Sequence, residues 1–406
     1  MRVLVACATL AGFLLPVGVG AQTLSLTESQ ALARLSIESP RVQTVLAAVD
    51  VARAEVLAAG RWPNPRLTYN RESVVGISEN MFLISQVLPL TGRRGFDVRA
   101  ASERVEAVSS RADDEVRRLR ADLRLAFADL WEAQTREREL VRSRDRLRDL
   151  AEVLRRREAA GEAAGFDRLR ADREAIDVEA DRAEAAAQRA QALAMLVSFF
   201  PSVPEGQVDV VMADRPAPMV PALEALIVRA EAVRPDLLAL RHELEAARFA
   251  GRAAGRRAIP EPELVAGTKS SNGGTGDIGS VVSLHISVPL FDRARPERAA
   301  AVARAVQVRA ETERLRLTLR TQIAGWREAL LARRDNAAAY RAAVIANAEE
   351  IERIALVSYD AGERGILELL DAYRVGASAR VRQTTLERAV REAEIELEFV
   401  SGWEIS

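Results

Sequence analysis

The residues of this 406-residue chain best suited to chemistry are two histidines, one cysteine and a glycine-rich segment. His242 and His285 lie far apart, and neither has a second histidine at helical spacing, so the sequence predicts no zinc site. Segment 273–276 reads Gly-Gly-Thr-Gly, but it joins two predicted strands, whereas a phosphate loop leads into a helix. Composition alone does not exclude Ser-His-Asp or paired-carboxylate catalysis, yet nothing in the sequence picks out a pocket. We therefore expect no catalytic residue, no bound metal and no cofactor.

The composition points to long helices. Hydrophobic residues make up 49% and charged residues 29%, while aromatic residues make up only 4%, and Ala, Leu, Arg and Glu dominate. Such a composition with helical periodicity is typical of coiled coils. The formal net charge is −1 and no basic stripe stands out, so we expect no nucleic-acid partner.

The N-terminus carries the features of an export signal. Arg2 precedes an apolar run over 3–15, and small residues occupy 19–21. We expect residues 1–21 to be removed and the mature chain to begin near Gln22. The alternative is an uncleaved anchor, but the run is shorter than the roughly 20 residues that span a bilayer. No later stretch predicts a transmembrane helix.

The single cysteine lies inside this signal. Residues 4–7 read Leu-Val-Ala-Cys, as in a bacterial lipoprotein signal, but the apolar run follows Cys7 where lipidation needs it in front. An upstream start would be required for Cys7 to carry lipid. Cleavage after Ala21 removes the cysteine and leaves no disulfide and no thiolate metal site.

The chain contains an internal duplication, because four landmarks recur in the same order in both halves. The paired landmarks are 32–53 with 226–248, 63–65 with 260–262, 89–93 with 289–293, and 160–162 with 361–363. The Pro-rich stretch 201–221 is the natural linker between the halves. The predicted divisions are 1–21 (signal peptide), 22–205 (first repeat) and 206–406 (second repeat).

Each half reads as a helix, two strands, a long helix, a turn and a long helix. Stepping by three and four from Val116 to Leu154 meets apolar residues at every position except Glu137 and Arg144, which is a heptad seam. The long helices are predicted over 96–159, 167–197, 295–361 and 367–400. The first of them would extend over about 90 to 100 Å at 1.5 Å per residue.

Four segments of 6 to 9 residues read as strands, close to the length of a tilted membrane-spanning strand. They are 66–73, 81–88, 264–269 and 282–290, with loops predicted over 74–80 and 271–279. For a cytoplasmic protein they would form a small sheet against the helices. This chain is exported, and in lipid no strand edge can stay unpaired, so the strands must close into a barrel. Four strands are too few, since barrels begin at about eight, and a membrane location therefore requires an oligomer.

These residues resemble the TolC-like outer-membrane efflux proteins over nearly all of the mature chain. The resemblance rests on the duplication, the Pro-x-Pro before each first strand, Gln-Val-Leu-Pro-Leu at 86–90, and Tyr-Asp-Ala-Gly at 359–362 followed by Leu-Glu-Leu-Leu-Asp-Ala at 367–372. It implies a mainly α fold with a small β part. Long coiled-coil hairpins and four transmembrane strands per chain would form a homotrimeric α/β barrel duct in the outer membrane that extends into the periplasm. The implied partners are a periplasmic adaptor (membrane fusion) protein and an inner-membrane pump, commonly proton-driven.

The resemblance also implies functional positions. Glu368 and Asp371 match the family's acidic constriction and are expected to line the gate, whereas in isolation they would be ordinary solvent-facing carboxylates. Asp167 and Asp172 occupy a similar place in the first half. The turns at Gly161-Glu162 and Gly362-Glu363 are expected to contact the adaptor. The alternative interpretation is that these glycines simply end the helices, and both can hold.

Two questions remain open at this stage. The competing hypothesis is an exported periplasmic coiled-coil adaptor or structural protein with a small soluble sheet, although adaptors carry one long hairpin and this chain carries two. The cargo is metal cations or other small toxic molecules. Segment 83–94 is similar to the strand exit of the CzcC-like heavy-metal branch, which favours metal.

Overall fold

The computed structural model describes residues 24–161, 165–202, 208–213, 218–274 and 276–404, so the predicted signal sequence, Cys7 and Glu162 lie outside the described residues. The helices are α1 (Glu28–Arg34), α2 (Pro40–Ala59), α3 (Arg93–Ala159), α4 (Gly165–Val197), α5 (Leu223–Val233), α6 (Pro235–Arg256), α7 (Arg295–Tyr340), α8 (Ala346–Asp360) and α9 (Ile366–Ser401), with a π-helical turn, Arg341–Ile345, between α7 and α8. The strands are β1 (Leu24–Thr27), β2 (Arg66–Val74), β3 (Ile77–Val87), β4 (Val208–Val211), β5 (Pro262–Ser271) and β6 (Ile278–Ile286).

Helix α3 dominates the molecule. Its 67 residues extend about 100 Å, and it begins three residues before the predicted start because Gly92 adopts a left-handed conformation that turns the chain out of β3. Near the sheet α3 packs between α2 and α6, and α6 packs on α7. At the far end α3 packs between α4 and α9, and α9 packs on α8. The two halves therefore lie side by side along α3.

The heptad seam on α3 differs from the prediction in its middle. Leu123, Leu130, Leu147 and Leu154 are buried as expected. Between them the helix buries three polar residues in place of the predicted Glu137, Leu140 and Arg144; the three are Gln134, Glu139 and Ser143. A straight α-helix drifts by about 20° per heptad relative to a 3.5-residue repeat, which moves the buried stripe off the predicted positions. Gln134 is satisfied by hydrogen bonds to β4 and Glu139 by ion pairs with Arg142 and Arg380.

A small domain surrounds the middle of α3. Strands β1 and β4 pair in parallel, so the predicted linker 201–221 contains a strand. Its core includes Leu26, Phe127, Leu196 and Phe200. Gln134 fixes β4 by donating to the carbonyl of Val208 and accepting from the amide of Val210, at 3.1 and 3.0 Å. Two chain segments that are distant in sequence are therefore joined at one level of the long helix.

Glu28 at the start of α1 is tied to both long helices. Its carboxylate accepts from Arg124 of α3 at 2.6 Å and from Arg391 of α9 at 2.5 Å. Burial acts to raise the pKa of Glu28, but the charges of the two arginines outweigh burial and lower the pKa below its ordinary value of 4.5. The ionised form is thus the one that stabilises this part of the fold.

We predict that the free energy of unfolding falls in acid because of Glu28, and that Glu28→Gln removes this pH dependence. A carboxyl with a depressed pKa contributes its stability above the unfolded value and loses it as pH falls through the folded value, which here means below 4.5. The substitution should lower stability at neutral pH by roughly 1 to 3 kcal/mol, the range for hydrogen bonds to charged groups. Urea unfolding of both forms at several pH values measures it. An equal difference between the two forms at neutral pH and below the folded pKa would contradict it.

The remaining strands form an antiparallel sheet in the order β2-β3-β5-β6. The hairpin between β2 and β3 is tighter than predicted. Val75 and Gly76 both have positive φ, 48° and 84°, so a two-residue turn replaces the predicted loop over 74–80 and β3 starts at Ile77. Strand β6 ends at Ile286, before Pro289, and the predicted strand residues 287–290 lie beyond it.

The predicted class, mainly α with long helical hairpins and a small β part, is confirmed. In the single chain the four strands form an open sheet. None of the described helices carries an apolar stretch long enough to cross a bilayer.

Candidate functional site

The two helical hairpins end in turns of the same kind. Helix α3 is followed by Gly161 with φ 76°, and α8 is followed by Gly362 with φ 74°. In each turn the glycine amide donates to a carbonyl three residues earlier, which satisfies part of the helix end. Both glycines are exposed, and so is Glu363. The left-handed conformation explains why glycine stands at both positions.

The ends of the two hairpins share one hydrophobic core. Helices α3, α4, α8 and α9 all contribute to it, through residues that are mostly Leu and Ala. Its buried members are Leu147, Leu150, Ala151, Leu154, Ala171, Ala175, Ala355, Ile366, Leu369, Leu370 and Ala372. Because this core spans both hairpins, their tips lie next to each other although they are about 200 residues apart in sequence.

The motif that follows the second turn is amphipathic. Ile366, Leu369 and Leu370 face the shared core, and this places Glu368 and Asp371 on the exposed side of α9. Asp371 pairs with Arg374 one turn later at 2.7 Å, with both side chains more than half exposed. An exposed pair of this kind contributes little to stability. Glu368 forms no ion pair or hydrogen bond with any described side chain, so its charge is free to face solvent or an ion.

The acidic residues after the first turn are placed differently. Asp172 is half-buried and pairs with Arg168 at 3.0 Å and Arg155 at 3.5 Å. Asp167 is also half-buried and lies near Tyr359 of the other hairpin; burial, reinforced by the charge of Asp167, raises the pKa of Tyr359. The structure thus brings the four predicted carboxylates to the same end of the molecule, but it leaves only Glu368 and Asp371 exposed.

A buried ion cluster joins the hairpins above the tips. Arg380 of α9 lies between Glu139 of α3 and Glu352 of α8, at 2.9 Å from each carboxylate. Arg142 and Arg146 bind the outer oxygens of the two carboxylates, each at 2.5 Å. The two glutamate side chains are only 8% exposed. We call these five residues the hairpin clamp.

The sequence analysis did not predict the hairpin clamp. Its one sequence signal is Gly376, a glycine inside a long helix, where glycine is unfavourable by about 1 kcal/mol. A Cβ at Gly376 would collide with the carboxylate of Glu352, so glycine provides the space in which Glu352 lies. A glycine one turn before an arginine in a helix interior could have indicated a buried acidic partner.

The antiparallel sheet has two different faces. Residues that are directly paired share a face. On one face exposed apolar side chains line all four strands; they are Leu67, Tyr69, Phe82, Ile84, Leu264, Ile278, Val282, Leu284 and Ile286. Tyr69 and Phe82 stack with ring centroids 4.7 Å apart. An apolar patch of this extent marks an interaction surface.

The opposite face is mixed and carries charges. Lys269 pairs with Glu79 at 2.6 Å, and His285 lies 4.0 Å from Glu263. Gly267 lets β3 and β5 approach closely, because a Cβ there would collide with the carbonyl of Phe82. Within the described ranges, no three His, Cys, Asp or Glu side chains are grouped so that they could hold a metal ion.

Comparison with known proteins connects this architecture to one family. Residues 226–402 match the family described as Outer membrane efflux protein. A relative, the cobalt-zinc-cadmium resistance protein CzcC of Cupriavidus metallidurans, is 24% identical over 340 residues, which make up 82% of this chain and 80% of that protein.

Solved structures share the fold. CusC superposes with a TM-score of 0.75 at 17% identity, covering 93% of this chain and 92% of that one. The open state of the Neisseria gonorrhoeae MtrE outer membrane channel superposes with a TM-score of 0.73 at 18% identity, covering 92% and 88%. The whole arrangement of hairpins, middle domain and sheet is therefore common to these proteins.

Proposed function

We propose that this chain belongs to the outer membrane efflux protein family and is the outer-membrane channel component of a tripartite efflux system. The observation that carries the proposal is the two-faced sheet joined to helices about 100 Å long. The apolar face suits lipid and the charged face suits a water-filled interior. The relatives are efflux proteins and not enzymes, and the chain acts here without a catalytic group.

We propose a homotrimer for the channel. Strands β2 and β6 form the ends of the sheet, and each has one edge without a partner strand among the described residues. Unpaired backbone groups are expensive in lipid, so these edges must pair with other copies. Three copies of four strands would give a closed barrel of twelve, above the lower limit of about eight. The alternative, a soluble periplasmic adaptor or structural protein, would leave the apolar face uncovered.

The duct itself is passive in this proposal. A periplasmic adaptor protein would connect it to an inner-membrane pump, which we propose to be proton-driven, and the pump would supply the energy. The tips of the hairpins are the part farthest from the sheet along α3. The turns at Gly161-Glu162 and Gly362-Glu363 are accordingly the proposed adaptor contacts.

Glu368 and Asp371 are the proposed gate carboxylates. They are exposed at the tip, and three copies of each around one axis would concentrate six negative charges and attract cations. Asp167 and Asp172 contribute less in this proposal, because Asp172 is already neutralised by two arginines.

We predict that Glu368→Gln combined with Asp371→Asn lowers cation selectivity severalfold in single-channel recordings across a planar bilayer. Removing six carboxylates from the narrowest part of the duct removes its attraction for cations. Glu115→Gln is a matched control, because Glu115 is an exposed acid on α3 far from the tip. The gate assignment is wrong if the control changes the selectivity as much as the double variant does.

We propose divalent metal cations as the cargo. The proposal is supported by the similarity to a cobalt-zinc-cadmium resistance protein over most of both chains. A strain without this gene should become sensitive to cobalt, zinc or cadmium and unchanged toward uncharged drugs. Sensitivity to drugs with unchanged metal tolerance would assign the channel to another cargo.

A further inference from the structure

The connection between β6 and α7 is unusually exposed and apolar. The alternating apolar face of β6 continues past the end of the strand into Val288 and Leu290, which are 64% and 63% exposed. Phe291 follows and is 98% exposed. These side chains extend the apolar face of the sheet toward the helices without a break. Because these side chains continue the proposed lipid-facing surface, we expect them to contact lipid as well.

Arginines without protein partners surround this apolar run. Arg293 and Arg295 follow Phe291, and Arg256 lies across a cleft of about 530 Å³ that the apolar residues also line. Within the described ranges none of the three has an ion pair or a side-chain hydrogen bond; Arg256 only stacks over the ring of Phe96 at 5.9 Å. Arg256 lines the cleft, and Arg293 and Arg295 follow its apolar lining residues directly in sequence, so unpaired positive charge lies beside an exposed apolar surface.

The rest of the cleft is balanced. Arg93 pairs with Glu261 at 3.5 Å, and Arg257 pairs with Glu297 at 2.5 Å. Asp292 also lines the cleft; it accepts from the amide of Ala294 at 3.1 Å and keeps its negative charge. Three unpaired arginines against this one carboxylate leave a surplus of two positive charges.

The equivalent connection in the first half lacks this combination. Leu90 is exposed, but the arginines that follow it are used within the chain. Arg93 pairs with Asp97 and Glu261, and Arg94 donates to the carbonyl of Gly60 and stacks over Trp62. The two connections therefore differ in the arginines that follow them: those after the first are bound within the chain, whereas those after the second are not.

We propose that Arg256, Arg293 and Arg295, together with Leu290 and Phe291, form a binding site for an anionic phospholipid at the inner surface of the outer membrane. This inference rests on the proposed function, which places the sheet in the bilayer. The arginines would hold the headgroup phosphate, and the apolar side chains would contact the acyl chains. The membrane would then be held at the level where the sheet meets the helices.

The full chain is purified in uncharged detergent and incubated with phosphatidylglycerol or phosphatidylcholine. Native mass spectrometry then measures how much of each lipid it retains. The triple variant Arg256→Gln, Arg293→Gln, Arg295→Gln should retain at least about tenfold less phosphatidylglycerol, since each arginine near an anionic surface contributes about fivefold. Its retention of phosphatidylcholine, in which a choline cation offsets the phosphate, should fall by much less. The matched control replaces three exposed arginines on α7 and α9, also without side-chain partners among the described residues: Arg309, Arg314 and Arg382.

A second variant, Leu290→Ser with Phe291→Ser, should reduce retention of both lipids because it removes the acyl-chain contacts. The proposal is overturned if the triple variant retains phosphatidylglycerol like the unmodified chain, if the control loses as much, or if inorganic phosphate alone displaces the lipid. Oligomer formation is read separately on unheated gels. A failure of the channel assignment would appear there and not in the ratio of the two lipids.

Discussion

Replacing Arg380 by Met should destabilise the paired hairpins by about 3 to 5 kcal/mol, the effect of removing one partner from a buried ion pair. The substitution leaves Glu139 and Glu352 buried with only their outer arginines, each at the edge of the cluster. The two carboxylates would then repel each other across the space that the guanidinium filled. Thermal denaturation followed by far-ultraviolet circular dichroism measures the loss.

Two controls separate the charge effect from simple loss of packing. Arg382→Met changes an exposed arginine of the same helix and should alter stability by less than about 0.5 kcal/mol. Adding Glu139→Gln and Glu352→Gln to Arg380→Met removes the uncompensated charges and should restore part of the lost stability. If the triple variant is less stable than Arg380→Met alone, the clamp does not act through its charges.

Placing a charge on the apolar face of the sheet should prevent membrane assembly. Leu284 is exposed on the apolar face of β6, two residues before the strand ends at Ile286, and Leu284→Arg should cost from about 1 kcal/mol per chain near the membrane surface to about 2 to 4 kcal/mol toward the midplane. Because every copy in an oligomer carries the change, the effect multiplies with the number of chains. The expected result is loss of the protein from purified outer membranes, measured by immunoblot.

The neighbouring residue supplies the matched control. His285 is on the opposite face of the same strand and lies beside Glu263. His285→Arg adds the same charge one residue away, where it can pair with that carboxylate, and should leave assembly intact. Equal amounts of the two variants in the membrane would contradict the assignment of the apolar face to lipid.

Much of the architecture could be predicted from the sequence because its signals are local. The absence of proline through α3, the glycines at the two turns and the alternation in β6 each act within a few residues. The resemblance to TolC-like efflux proteins, drawn from the motifs at 359–362 and 367–372, is confirmed by the match of 226–402 to the family and by the shared fold. Helix ends were correct to within a few residues, since caps and breakers fix them.

What the sequence did not predict depends on contacts between distant segments. Strand β4 was not predicted, and its residues were assigned to the linker, because its partner β1 is about 180 residues away in sequence. In the hairpin clamp Arg380 binds carboxylates 28 and 241 positions away, so heptad counting on α3 alone passed over Glu139. The carboxylates after the two turns occupy similar places in sequence, yet Asp172 is half-buried and pairs with two arginines, whereas Asp371 is exposed and pairs with one. Such differences arise from packing between helices, which periodicity along one helix does not contain.

The most direct test of the channel assignment is a gel of purified outer membranes, run with and without heating. The chain would be expressed with residues 1–21, the predicted signal, in a Gram-negative host. A band near three times the subunit mass that collapses on heating is the predicted result, because the proposed barrel contains three copies. A monomer or dimer recovered from the soluble periplasmic fraction would contradict the channel and support the coiled-coil adaptor.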